Sequence, residues 1–280
     1  MDGDAVETQE KNAEILSILV VGLFVIWTVV PIYMLISQSV KPESIMFADP
    51  PKLFYQPIFD HFVRVFVRND ILGSMINSVI VSVSTMVLCV VLGALCAYSL
   101  ARIRIPGSKF IAMFIILTRT VPAGALMMPM YVLMRELGLA TSYLAVIFAH
   151  TALQLPFAVL MMKGFFQDVP LELEQAAQVD GCSRMRTFVK ICIPMTAPGV
   201  ATTGIMVLLN SWNEFMFALI LTGRGTRTLP IAISSFLGAV SIDWGASSAA
   251  ATLATVPIFI AGVFIQKYFV RGLTSGAVKG

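Results

Sequence analysis

The stretch Asp168-Val169-Pro170-Leu171-Glu172-Leu173-Glu174-Gln175-Ala176-Ala177-Gln178-Val179-Asp180-Gly181 runs on through Cys182-Ser183-Arg184 to Ile191-Cys192-Ile193-Pro194. Asp168 can cap a helix start, Pro170 fits a first turn whose N–H needs no partner, and Glu172 and Glu174 suit the positive end of the helix dipole. Gly181 supplies the stop, because glycine enters the left-handed region without a Cβ clash. Ser183 can cap a second short helix, expected to end before Pro194. The stretch therefore predicts a helical hairpin over residues 168–194. Ala176, Ala177 and Gly181 leave room for another surface to approach closely, and Glu172, Glu174 and Asp180 offer that surface charge.

The sequence on either side of the hairpin is strongly apolar. Hydrophobic residues make up 58% of the chain and charged ones 12%, against about 25% charged in a soluble domain. Mean hydropathy is +0.86. Much of the surface is therefore expected to face lipid. A membrane-crossing helix needs about 20 mostly apolar residues, and six stretches qualify: 15–36, 73–101, 110–133, 143–166, 198–221 and 249–270. The first is expected to stay as a helix and not act as a signal peptide. Asp2, Asp4, Glu7, Glu10 and Glu14 precede it in place of a basic region, and no small-residue cleavage site follows. The expected fold is all-α and integral to a membrane, with six transmembrane helices. Pro122, Pro129, Pro156 and Pro257 interrupt several spans, which is tolerated where neighbours or a watery cavity satisfy the freed carbonyls.

Lys and Arg set the expected orientation. The loop 102–109 carries Arg102, Arg104 and Lys109 and no acid, and Arg184, Arg186 and Lys190 lie on the hairpin. Both are expected on the cytoplasmic side, with the tails 1–14 and 271–280. The long segments 37–72 and 223–248 then lie outside. Phe59-Asp60-His61-Phe62-Val63-Arg64 predicts a short interfacial helix in the first of them. These segments could dock a soluble partner or simply cover the bundle.

Other chemistries find little support. A net charge of +3 is too small to indicate nucleic acid. Cys89, Cys96, Cys182 and Cys192 form no C-x-x-C pair, and packing accounts for the two in the apolar run. His61 and His150 read as isolated, so neither a metal site nor a nucleophile–base pair is expected. No G-x-x-x-x-G-K-[ST] phosphate loop occurs. An ion-driven secondary transporter would show paired broken helices or inverted repeats, which the sequence lacks.

The hairpin resembles the E-A-A-x(3)-G-x(9)-I-x-L-P signature of binding-protein-dependent ABC importer permeases. Ala176-Ala177, Gly181, Ile191, Ile193 and Pro194 fall in register. Gln175 stands where the family has glutamate, and Ile193 where it has leucine. The resemblance covers the chain from about Ile32 to Gly280 and is to the maltose-type carbohydrate branch, similar to its G-type permease subunit. Ile76-Asn77-Ser78, Ala97-Tyr98-Ser99-Leu100-Ala101-Arg102, Ser211-Trp212-Asn213-Glu214-Phe215 and the ending Gly272-Leu273-Thr274-Ser275-Gly276-Ala277-Val278-Lys279-Gly280 carry it.

The resemblance implies a type I ABC permease core over 73–270 and no enzymatic activity in this chain. It implies a sister permease, two ATPase subunits that bind ATP and Mg, and an extracytoplasmic solute-binding protein. The ATPase-coupling residues it implies are Glu172, Glu174, Gln175, Ala176, Ala177, Asp180, Gly181, Pro194, Lys279 and Gly280. Gln175 puts a salt bridge from that position in doubt, and Glu174, about 100° round the helix, is the candidate to compensate. A permease for a non-sugar solute shares the hairpin and stays open as an alternative.

Ionisable groups within a span are costly and therefore functional candidates. Arg119 is placed about 15 Å into the third span, Glu214 in the fifth and His150 in the fourth. Arg119, Asn210, Asn213 and Glu214 are expected to face a solute path, with an Arg119–Glu214 pair within reach. Trp212 reads as a packing residue.

Overall fold

The computed structural model describes residues 2–68, 70–238 and 242–277, with side chains for 11–67, 70–238 and 242–262. The described residues are helical apart from turns, loops and two isolated bridges, Thr141 to Thr222 and Leu237 to Ile242. Among the described residues, five helices are long and apolar enough to cross a membrane, or six when a bent pair is taken as one span. Two compact units partition the chain: residues up to 69 with 236–253, and 70–235 with the residues from 254 onward.

In the first unit, α1 (Asp2–Val40) is followed by α2 (Glu43–Met46) and the amphipathic α3 (Asp60–Arg68). Helix α1 exposes apolar side chains around its circumference, among them Leu19, Phe24, Ile26 and Trp27. Such a surface is stable where the surroundings are hydrocarbon. Residues 40–64 are tied down by bonds within the unit. Ile58 N–H donates to the Val40 carbonyl at 2.8 Å, and buried His61 donates from Nε2 to the Lys41 carbonyl at 2.8 Å. His61 Nδ1 is then left to accept from Arg64. Arg64 also pairs with Glu43 at 2.6 Å and Asp243 at 3.1 Å. His61 is thus part of a charged cluster, which corrects its reading as isolated.

The second unit is built on α4 (Ile71–Arg102), α5 (Ser108–Thr118), α6 (Ala123–Glu136) and α7 (Tyr143–Asp168). The hairpin follows with α8 (Leu171–Val179) and α9 (Arg184–Thr187). Next come α10 (Ile193–Trp212), α11 (Met216–Leu221) and α12 (Leu229–Ser234). Helix α13 (Trp244–Ala277) starts in the first unit and ends in the second. Its last described residue falls short of Lys279 and Gly280, which lie outside the described residues.

Helices α4, α7 and α10 pack on one another and enclose Cys89, Ala97, Ala158, Met162, Phe166 and Val207. Close approach depends on small side chains, because lipid supplies no hydrophobic drive to join helices. A Cβ on Gly93 would meet the Ala158 methyl at 3.2 Å. Cys89 and Cys192 are fully buried free thiols, as the packing reading required of Cys89.

Two spans differ from their sequence reading. The third is broken: α5 and α6 meet at a 97° bend, with Arg119 closing α5 and Pro122 opening α6. Proline has no N–H and biases the residue before it away from helix, so Val121-Pro122 ends one helix and starts another. Arg119 therefore sits at a helix end and not within a continuous span. The fifth span starts at Arg184 and stops at Trp212. Asn213, Glu214 and Phe215 form a break before α11.

The loop 223–229 is fastened to α4. Asn77 donates from Nδ2 to the carbonyls of Arg227 at 2.9 Å and Gly225 at 3.2 Å, and accepts from Tyr143 at 2.7 Å. The Ser78 hydroxyl accepts from Leu229 N–H at 2.8 Å. These bonds give Asn77 and Ser78 a structural task at the start of α4.

Candidate functional site: the hairpin anchor and the broken third span

Helix α8 begins at Pro170, whose φ of −58° and ψ of 130° make it the cap itself. Asp168 ends α7 and does not cap α8, because Val169 and Pro170 are both extended. The C-terminus follows the sequence closely. Gly181 takes φ +85°, its N–H donates to the Gln178 carbonyl at 3.1 Å, and Cys182 N–H reaches the Ala177 carbonyl at 2.9 Å. This pair of bonds is the Schellman stop. Ser183 then caps α9 by accepting from Arg186 N–H at 3.4 Å.

Pro194 does not end the hairpin's second arm. The arm passes from α9 through a π turn, Phe188–Cys192, directly into α10. Proline cannot donate to the carbonyl four residues earlier and its ring crowds it. Widening the preceding turn, so that Ile193 N–H pairs with the Phe188 carbonyl, accommodates that defect without breaking the helix.

The hairpin is held from within. Glu174 is 3% exposed and receives Arg102 Nε at 2.5 Å and the Tyr98 hydroxyl at 2.9 Å. The Arg102 guanidinium also donates to the Val169 carbonyl at the end of α7. Tyr98 lies against Phe188 at 4.8 Å and Phe166 at 5.8 Å between ring centroids. One carboxylate thus ties α8 to α4, and one ring ties α4 to α7 and the second arm. Glu174 cannot stand in for the missing charge at Gln175, because both of its oxygens are bonded inside the chain. Ala177 is buried beside it.

The opposite face of α8 is open. Glu172, Gln175, Ala176 and Asp180 are exposed, and so are the apolar Leu171, Leu173 and Val179, the last 87% exposed. The usual arrangement is inverted, with the carboxylate inside and aliphatic side chains outside.

The candidates for a solute path separate into two groups. Glu214 is paired with His150, whose Nε2 donates at 2.9 Å, and it also accepts from Phe217 N–H at 3.0 Å and Ala218 N–H at 3.2 Å. His150 Nδ1 lies 2.8 Å from the Ser211 hydroxyl. His150 is therefore not isolated, and Glu214 secures the start of α11. The Arg119–Glu214 pair does not form, since α11's free N–H groups and a buried imidazole claim the carboxylate first. Arg119 instead lies over the Phe157 ring, 5.2 Å from its centroid. It lines a cavity of about 450 Å³ with Thr118, Thr120, Gln154 and Phe217. Exposed Asn210 donates to Gln154 Oε1 at 3.3 Å, while exposed Asn213 bonds back to the Leu209 carbonyl. Trp212 is 5% exposed and packs.

Arg102, Gln154 and Phe157 are missing from the residues the sequence singled out for the site, while His150, a candidate by its depth in a span, is placed here as the partner of Glu214. Arg102 marks the orientation and belongs to a stretch that carries the resemblance, but a basic residue ending a span before an acid-bearing hairpin was also a usable signal for a partner. Nothing in the local sequence marks Gln154 or Phe157, whose neighbours come from distant helices.

Comparison with known proteins places this geometry. Residues 89–275 match the family model described as binding-protein-dependent transport system inner membrane component. The chain is 34% identical over 265 residues to the sulfoquinovosyl glycerol transport system permease protein SmoH of Agrobacterium fabrum, covering 94% of this chain and 91% of that one. It is 32% identical over 242 residues to the trehalose/maltose transport system permease protein MalG of Thermococcus litoralis, covering 85% and 87%. A chain of a bacterial ABC transporter involved in import of the acidic polysaccharide alginate shares the fold, with a TM-score of 0.78 at 21% identity over 93% of this chain and 98% of that one. The chain belongs to the binding-protein-dependent transport system inner membrane components, and is a transport permease of that family and not an enzyme.

Proposed function

We propose that this chain forms half of the membrane pathway of an ABC importer for a small carbohydrate or polyol. In this reading the exposed face of α8 docks on a separate ATPase subunit. The inverted polarity of α8 carries the proposal. Leu171, Leu173 and Val179 have no reason to face water, whereas a partner's groove would bury them around the small Ala176. The Glu174–Arg102–Tyr98 anchor would then pass a displacement of α8 to α4 and α7. Gln175 lies on the docking face without charge, so docking here rests on shape and apolar contact more than on an ion pair. Gly181 and Pro194 act by shaping the hairpin, and Lys279 and Gly280 are proposed as a second contact.

ATP and Mg would be bound by two copies of that ATPase. A sister permease would complete the pathway, and a solute-binding protein would deliver to the segments 37–72 and 223–248, with both termini cytoplasmic. The carbohydrate assignment draws on the relatives, named for sulfoquinovosyl glycerol and for trehalose/maltose transport. Within the chain, Arg119, Asn210 and Asn213 offer exposed polar groups for a hydroxylated solute, with Glu214 holding the break that presents Asn213.

The test is reconstitution of the chain with its sister permease, ATPase and binding protein in proteoliposomes. Sugar uptake that requires both ATP and the binding protein is expected, and Val179→Asp should abolish it while the permease pair still assembles. Uptake driven by an ion gradient without the ATPase would overturn the reading.

A further inference from the structure

The break in the third span holds a cation that no described side chain neutralises. Arg119 is exposed at the end of α5, and among the described residues no ion pair includes it. The nearest candidate in sequence reading, Glu214, is committed to His150 and to α11. The rest of the cavity wall is Thr118, Thr120, Gln154 and apolar side chains, with no acid.

Arg119 Cζ lies over the Phe157 ring at 5.2 Å from its centroid, an interaction that uses the charge of the guanidinium and not its N–H donors, which suit a planar acceptor. Gln154 accepts from Asn210 through Oε1, which leaves its amide N–H groups as further donors on the same wall. The Thr118 and Thr120 hydroxyls donate to the carbonyls of Ile115 and Leu117, so they offer only acceptor capacity to a hydroxyl. A neutral polyol would be served by amides and hydroxyls alone. A permanent charge at membrane depth is costly and is offset when an opposite charge meets it.

We propose that the imported solute carries an anionic group, a carboxylate, sulfonate or phosphate ester on a hydroxylated body, and that Arg119 takes this group at the break. The proposal rests on the carbohydrate-permease reading and narrows its substrate class.

The complete transporter in proteoliposomes, with its binding protein, tests this using trehalose and maltose as neutral probes and glucuronate, sulfoquinovose and glycerol 3-phosphate as anionic ones. ATP-driven import of at least one anionic probe in preference to the neutral pair is expected. Arg119→Gln should slow that import about tenfold or more, the scale of one lost charge-assisted hydrogen bond, and Arg119→Lys should retain more of it than Arg119→Gln. Complex yield on size exclusion separates solute binding from assembly. Import confined to the neutral probes, full-rate anion import by Arg119→Gln, or an Arg119→Gln complex that falls apart would each overturn the proposal. If no hydroxylated probe of either charge is imported, the carbohydrate reading fails with it.

Discussion

Arg102 and Glu174 lie 72 residues apart in sequence and meet through a 2.5 Å bond between Nε and Oε1, with side chains 13% and 3% exposed. Breaking such a pair from one side leaves a buried charge, at a cost of about 3–5 kcal/mol. Glu174→Gln and Arg102→Gln should therefore each lower the detergent melting temperature and uncouple ATP hydrolysis from import. The double variant should lose less than the two singles together, because neither charge is then stranded. A double-mutant cycle on melting and on transport per ATP checks this; strict additivity would mean that the pair does not hold the hairpin.

Gln175 and Ala176 should behave in the opposite way. Both lie on the open face of α8, where substitutions change stability by within about 0.5 kcal/mol. Gln175→Glu and Ala176→Leu are expected to leave the melting temperature of the isolated permease nearly unchanged. Ala176→Leu should weaken ATPase binding in a pull-down, since a larger side chain fills the space at the docking face. A large melting shift for either variant would place these residues in the interior.

Gly181 occupies φ +85° with open space where a Cβ would lie. The penalty for Gly181→Ala is therefore conformational and not steric crowding, about 1–2 kcal/mol. Gly181→Asn should recover part of that loss, because asparagine tolerates the left-handed region. Thermal melts of the three proteins rank the effect.

Glu214 and Arg119 should act independently. Glu214→Ala removes the acceptor for α11 and strands His150, with an expected cost of about 1–3 kcal/mol. Arg119→Ala should add to it within about 0.5 kcal/mol. Strong coupling between them in a melting cycle would revive the direct pair that the geometry excludes.

Much of the hairpin was legible in advance because its devices are local. A glycine stop, a serine cap and a run of small residues act within a turn of their own position. What escaped were effects set by partners elsewhere in the chain. Glu172, Glu174 and Gln175 look alike as a sequence of polar residues, and only the end of α4 selects Glu174 to turn inward. The six apolar runs were likewise readable, yet run length cannot reveal a 97° bend. Pro122 and Pro194 show the limit most clearly. One stands at the start of a helix after a break and the other is absorbed by a wider turn, so proline alone does not decide whether a helix ends. The Arg119–Glu214 pair is absent for a related reason: depth along two helices carries no sign that His150 and two backbone N–H groups compete for the carboxylate.

The π turn has a consequence for exchanging parts between related permeases. It inserts its wide step between the hairpin's glycine and the start of α10, so it fixes which side chains of the second arm point at Tyr98. A graft spanning only residues 168–187 would import a foreign α8 and α9 onto a resident Phe188, Tyr98 and Arg102 whose rotational phase was set for another donor. A working chimera has to take its junctions beyond Pro194 and carry the last turn of α4 with it, so the smallest exchangeable part is discontinuous in sequence.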